Sequence, residues 1–227
     1  MKRSEINNSI KKMETLLAKH GFLLPGFCHW TPGDWSRKGA EYNEIRDNML
    51  GWDVTDFGMG KFAKLGLTLV TIRNGNVNNK KYPKTYAEKI MMIQEGQVCP
   101  MHFHWNKMED IINRGGGDLA FKLYNAAKDE RLADTDVEIN KDGRKYMVKA
   151  GEEIILKPGE SMCLSPYYYH EFYSKPGAGD CLIGEVSMCN DDNTDNRFLD
   201  PLGRFPAIEE DEPPYRLLCT EYPAANR

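Results

Sequence analysis

His102 and His104 stand two residues apart within the stretch Gly96-x5-His102-x-His104-x4-Glu109-x6-Gly116. On a strand, side chains two apart share a face, so two imidazoles there can reach one ion. Glu109, beyond a short turn, brings a carboxylate oxygen. A second strand can supply a fourth donor, and His170 is the one histidine left in the strand-rich part of the chain. Three nitrogens and one oxygen suit a first-row divalent ion with positions left open for water or substrate oxygens. A lone His-x-His pair is an ordinary strand feature. Here three of the five histidines fall in the two expected places, with a carboxylate at matching spacing. His20 and His29 lie outside the pattern, and His20 ends a helix, where a cation suits the C-terminal dipole.

Proton transfer beside such an ion needs a base. Glu185 interrupts the apolar run Cys181–Met188, and alternation puts it on one face with Ile183 and Ser187. A carboxylate there is costly unless it is paired or working, which makes Glu185 the leading candidate base and substrate contact. Lys89 is the second candidate: an ammonium near the ion can stabilise alkoxide charge or relay a proton. Asp191 and Arg197 can line a substrate pocket from the C-terminal segment. Glu171 adjoins His170 and points to the opposite face by strand alternation. Trp52, Asp53, Asp56, Phe57 and Tyr167 to Tyr169 can wall a substrate pocket or belong to the core; the sequence leaves both open.

The elements that must position these residues fall into three zones. Residues 1–60 read as helical decoration. Ile6, Ile10, Met13, Leu16 and Leu17 recur at helical spacing over 4–20, with Ser4 to cap the start and Gly21 to end it. Thr31 to Asp34 reads as a turn, and a second short helix is expected around 38–50. Residues 61–190 hold short runs rich in β-branched and aromatic residues, among them Leu67–Arg73, Lys89–Ile93, Leu119–Tyr124, Val137–Ile139, Tyr146–Lys149, Glu153–Leu156, Met162–Leu164, Glu171–Tyr173 and Cys181–Met188. Evenly spaced short strands suggest a sandwich or jelly roll. Residues 191–227 form a polar extension that still carries Phe198, Leu199, Phe205, Leu217 and Leu218.

Bulk properties limit the function. With 227 residues, 41% of them hydrophobic, the chain suits one domain with a sizeable core. Its formal net charge is −4 and no basic stripe appears, which argues against nucleic acid. No apolar run approaches the roughly 20 residues that span a bilayer, and the N-terminus lacks a signal-type apolar core; a cytoplasmic protein without membrane attachment is expected. None of the six cysteines pair at Cys-x-x-Cys spacing, so reduced, mostly buried thiols are expected rather than a thiolate zinc site.

The first motif resembles that of the cupin superfamily. Pro158-Gly159-Glu160-Ser161 with Leu164-Ser165-Pro166 and His170 resembles the second, with a stretched spacing and no terminal Asn. Pro100 to Trp105, Lys107 to Asn113, Arg114 to Gly117, Gly184 to Ser187 and Asn190-Asp191-Asp192 resemble the D-lyxose isomerase family along most of the chain. That resemblance implies a mainly β, cupin-type jelly-roll barrel with N-terminal helices packed on the sheet. It implies a divalent metal, usually Mn2+ with Co2+ or another first-row ion as substitutes, and homodimers acting on a free monosaccharide. The activity implied is isomerisation of D-lyxose to D-xylulose, commonly with D-mannose to D-fructose. Chemically this calls for proton transfer through a metal-bound enediol.

Three rivals share parts of the pattern. An iron cupin oxygenase uses the same ligands, but Glu185 and Lys89 favour proton transfer. A phosphosugar isomerase needs an anion site, and no compact basic cluster is visible near the motif. A non-catalytic sugar-binding cupin has less need of a metal with open positions. A chelator is expected to abolish activity, with manganese or cobalt restoring it best. His104→Ala should lower metal content while His20→Ala should not; equal metal content in the two variants refutes the ligand set.

Overall fold

The computed structural model describes residues 1–225. The N-terminal part holds α1 (Arg3–Lys19), α2 (Pro32–Trp35) and α3 (Asn43–Asp47), with 3-10 turns at Gly26–His29 and Ala40–Tyr42. The strands are β1 (Gly51–Thr55), β2 (Leu67–Arg73), β3 (Tyr86–Ile93), β4 (Val98–Phe103), β5 (Glu109–Gly116), β6 (Leu119–Ala126), β7 (Leu132–Ala133), β8 (Val137–Lys141), β9 (Arg144–Val148), β10 (Glu153–Leu156), β11 (Ser161–Leu164), β12 (Tyr168–Ser174), β13 (Cys181–Met188) and β14 (Arg197–Phe198). They form two antiparallel sheets. The first runs β1-β2-β3-β13-β5-β11-β8-β9, the second β10-β6-β12-β4-β14 with β7 beside β6. This is the expected β-rich jelly roll.

Apolar side chains of both inner faces fill the space between the sheets, including Leu69, Met91, Ile111, Phe121, Leu123 and Phe172. A second cluster lies on the outer face of the first sheet, where Ile6, Ile10, Met13 and Leu17 of α1 cover Val70, Ile90, Met92 and Leu182. Strands β2, β3 and β13 are therefore apolar on both faces, which explains their near-continuous buried runs. Gly21, at φ +64, ends α1 as expected, because a left-handed residue suits glycine. The α1 N-cap is Lys2 rather than Ser4, whose hydroxyl instead donates to Asp211 at 2.7 Å.

Several expected boundaries shift. The helix expected around 38–50 shrinks to Ala40–Tyr42 and Asn43–Asp47. The turn expected at Thr31 to Asp34 is a short helix, capped by the Thr31 side chain and Asp34 NH. β1 precedes residue 61 and β14 follows residue 190, so the sheets extend past both ends of 61–190. β14 is only two residues long, and its pairing with β4 could not be read from so short a segment. The C-terminal segment packs back on the N-terminus: Arg3, 1% exposed, pairs with Glu210 and Glu221.

The docking of α1 carries a stability expectation. Ile10 is fully buried, and Ile10→Ala should cost about 2–4 kcal/mol through lost burial and a residual cavity. Denaturant unfolding measures this, with the exposed Lys11→Ala as a near-neutral control.

Candidate active site and metal centre

His102 and His170 are direct register partners on β4 and β12 of the second sheet, and His104 follows β4. A register shift separates the pairs His170–His102 and Phe172–Cys99. Pro100 lies inside it and cannot donate to the ladder. The extra residue lets Cys99 and His102, three apart, both line one cavity, which strict alternation forbids. Glu109 opens β5 in the opposite sheet. Donors from both sheets therefore meet across the interior.

The geometry fits a metal. One ring nitrogen from each of His102, His104 and His170 lies within 4.8 Å of the others. Each Nδ1 sits against a main-chain carbonyl: Pro100 at 2.8 Å, Asp195 at 2.6 Å and Tyr168 at 3.0 Å. A carbonyl only accepts, so each Nδ1 carries a hydrogen, which makes Nε2 the atom free to ligate when the ring is neutral. Nε2 of His104 and His170 face Glu109 Oε1 at 3.5 and 3.3 Å. Lone pairs facing a carboxylate oxygen repel unless a cation lies between them. Burial, then the neighbouring imidazoles, hold the His102 pKa well below its ordinary value; burial, then Lys107, lower that of His104. Neutral imidazoles are the ligating form.

Next to this centre lies a charged wall. Glu185 and Lys89 are cross-strand partners on β13 and β3, with Nζ 3.5 Å from Oε1. Lys107 Nζ lies 2.7 Å from Glu109 Oε2 and 2.9 Å from Glu185 Oε1. All these ion pairs of Glu185 run through Oε1. Burial alone would push the Glu109 carboxyl up, but the Lys107 ammonium outweighs it and holds it well below the carboxylate range. Burial likewise opposes the Lys107 charge, yet Glu109 and Glu185 raise its pKa. Arg204, from the C-terminal segment, lies 2.6 Å from Asp53 and 3.2 Å from Asp192, and its Nη1 is buried without a partner. Phe57, Leu67, Leu69, Met91 and Phe172 supply the apolar walls.

Lys89, His102, His104, Glu109, His170 and Glu185 thus line one cavity. Asp191 and Arg197 do not. Asp191 folds into its own loop, bonding Asn193 and Thr194, and Arg197 pairs outside with Glu130 at 2.9 Å. Asp192, Asn196 and Arg204 line the wall instead. Glu185 follows the His170 strand in sequence but lies in the opposite sheet, so it faces His170 rather than pairing beside it. Glu171 points away and pairs with Lys122, as alternation requires. Trp52 belongs to the cluster under α1, Asp56 caps Gly58 and Gly60, and Tyr169 bonds Glu130; Phe57 alone of the four candidates at 52–57 reaches the cavity, while Asp53 touches it through Arg204.

Lys107 and Asp195 escaped the sequence reading as well. Lys107 stood inside the motif without a role, since a turn residue has no predictable direction. Asp195 gave no signal at all. Its carboxylate accepts from the main-chain NH of Trp105, Asn106 and Lys107 at 2.9, 3.0 and 3.0 Å, and its carbonyl orients His104. It therefore shapes the turn between His104 and Glu109.

The family model described as D-lyxose isomerase matches residues 1–222. The chain belongs to the D-lyxose isomerase family. A D-lyxose/D-mannose isomerase from Serratia proteamaculans is 51% identical over 223 residues, covering 98% of each chain. One from Escherichia coli O157:H7 is 49% identical over the same length, again 98% of each. In fold, this family member resembles the L-ribose isomerase of Cellulomonas parahominis, with a TM-score of 0.62, 14% identity, and 92% and 98% coverage.

Asp195→Ala keeps the carbonyl that orients His104 but removes the carboxylate that holds the turn before Glu109, and should weaken divalent-metal binding about tenfold or more, as for a lost supporting contact. Competition with a fluorescent chelator measures it; unchanged affinity removes Asp195 from the centre.

Proposed function

We propose that this chain interconverts free aldoses and 2-ketoses, D-lyxose with D-xylulose and D-mannose with D-fructose, by moving a proton between C2 and C1. The observation that carries this reading is the placement of Glu185, beside Glu109 on the first sheet and across the cavity from three imidazoles. His102, His104, His170 and Glu109 would hold a divalent ion, in our reading manganese, which supplies Lewis-acid stabilisation of charge developing on O1 and O2. In this reading Glu185 takes the proton from one carbon and returns it to the other. Its Oε1 is held by Lys107 and Lys89, which leaves Oε2 for the transfer. Lys107 and Lys89 direct N–H groups toward developing negative charge. Asp192, Asn196 and Arg204 offer bonds to hydroxyls further along the sugar. The apolar wall limits water around the intermediate.

The charge balance supports a neutral substrate. Lys89, Lys107 and Arg204 do converge here, a basic cluster invisible in the sequence. They meet four carboxylates, Asp53, Glu109, Glu185 and Asp192. Little positive charge remains for a phosphate. We further propose a cytoplasmic homodimer. All six cysteines are free thiols, and no helix among the described residues is long and apolar enough to cross a membrane. Tyr86, Val186 and Met188 expose an apolar strip on the first sheet beyond α1.

Free D-lyxose is expected to show a higher kcat/KM than any sugar phosphate in a coupled ketose assay. In deuterated water the product should carry solvent deuterium on carbon, as a carboxylate-held proton exchanges and a hydride does not. Glu185→Gln should keep its metal and lose kcat by about a hundredfold or more. Normal turnover by that variant removes Glu185 from the mechanism.

A further inference from the structure

Asn190 follows β13 and does not form part of the cavity wall, yet it touches both cavity lysines. Its Oδ1 accepts from Lys89 Nζ at 2.6 Å and from Lys107 Nζ at 3.3 Å. The same ammoniums lie 3.5 and 2.9 Å from Glu185 Oε1. Two like charges crowd one carboxylate oxygen, and a neutral amide oxygen is the acceptor they share besides it. One N–H of each lysine spent on Asn190 fixes how each ammonium is turned toward Glu185.

Asn190 is itself clamped. Its main-chain NH donates to Asn74 Oδ1 at 3.0 Å, and its carbonyl accepts from Asn74 Nδ2 at 2.9 Å. One planar amide thus grips both polar groups of one residue, which needs a donor and an acceptor in a single side chain. Asn74 is 4% exposed and lies just past β2. Its own carbonyl accepts from Asn48 Nδ2 at 3.1 Å. The chain of amides therefore runs from the loop after α3, through the end of β2, to the two lysines.

We propose that Asn190, gripped by Asn74, is a positioning residue that sets Lys89 and Lys107 against Glu185 Oε1 and so keeps the other carboxylate oxygen available for proton transfer. The proposal rests on Glu185 being the base. Without the amide acceptor, Glu185 becomes the nearest acceptor for Lys89, and the ammoniums lose their fixed direction.

The test uses the full-length manganese-loaded enzyme. Asn190→Ala removes the side-chain acceptor and keeps the main-chain grip; Asn74→Ala does the reverse. Both should lower kcat on D-lyxose by about ten- to a hundredfold, the scale of a displaced catalytic group. KM should stay within about twofold and metal content should not change. The exposed Asn78→Ala should match the unsubstituted enzyme. Hydrogen–deuterium exchange over residues 186–192 should speed up in Asn74→Ala and not in Asn190→Ala. Full kcat in Asn190→Ala, a change in KM alone, or loss of metal in both variants overturns the positioning role. Glu185→Gln separates the two ideas. If it is inactive while Asn190→Ala is fully active, only the clamp fails. If Glu185→Gln turns over normally, the base assignment fails and the clamp with it.

Discussion

The Lys107 ammonium lies between Glu109 and Glu185, with side-chain exposures of 2% for Lys107 and Glu109 and 5% for Glu185. Ionised groups cannot be left alone at that depth, because removing one partner of a buried pair costs several kcal/mol. Each charge here therefore fixes the next. Glu109 stays ionised because the Lys107 ammonium outweighs its burial, and Lys107 stays charged because two carboxylates flank it. The carboxylate proposed to ligate and the one proposed to move a proton are thus held by one cation, at different oxygens.

The two-sheet architecture exists, from the viewpoint of the site, to bring these groups together from opposite walls. Lys89, Glu185 and Glu109 sit on three neighbouring strands of the first sheet, while His102 and His170 pair directly in the second. Neither sheet alone holds a complete ligand set. The stacked core beneath them keeps the spacing, and α1 covers the outer face of β2, β3 and β13, shielding the strands that carry Lys89 and Glu185. Loops then add polar groups from far along the chain, Asp195 to the turn after His104 and Arg204 to Asp53 and Asp192. The proposed preference for a free sugar follows from the same balance. Matched charges suit hydroxyl groups, which ask for donors and acceptors, better than a phosphate, which asks for unmatched cations.

What the sequence by itself determined was whatever depends on short-range periodicity and residue type. Leu67–Arg73, Glu153–Leu156 and Cys181–Met188 were legible to the residue, because β-branched and apolar runs bounded by turns leave one reading. The spacing of His102, His104 and Glu109, with His170 as the remaining histidine, was enough to single out residues that the fold gathers round one cavity, and a carboxylate in an apolar strand singled out Glu185, while alternation turned Glu171 away from His170. Tertiary structure decided everything that requires two distant segments to meet. β1 and β14 become strands only through partners already in place. The sequence reading proposed Asp191 and Arg197, whereas Asp192 and Arg204 line the cavity; the pairs differ in direction rather than type, and direction in a loop has no period to reveal it. Lys107, Asp195 and the Asn74–Asn190 grip have their roles because folding buries charges and main-chain groups that must then find partners, and those partners stand up to 116 residues apart.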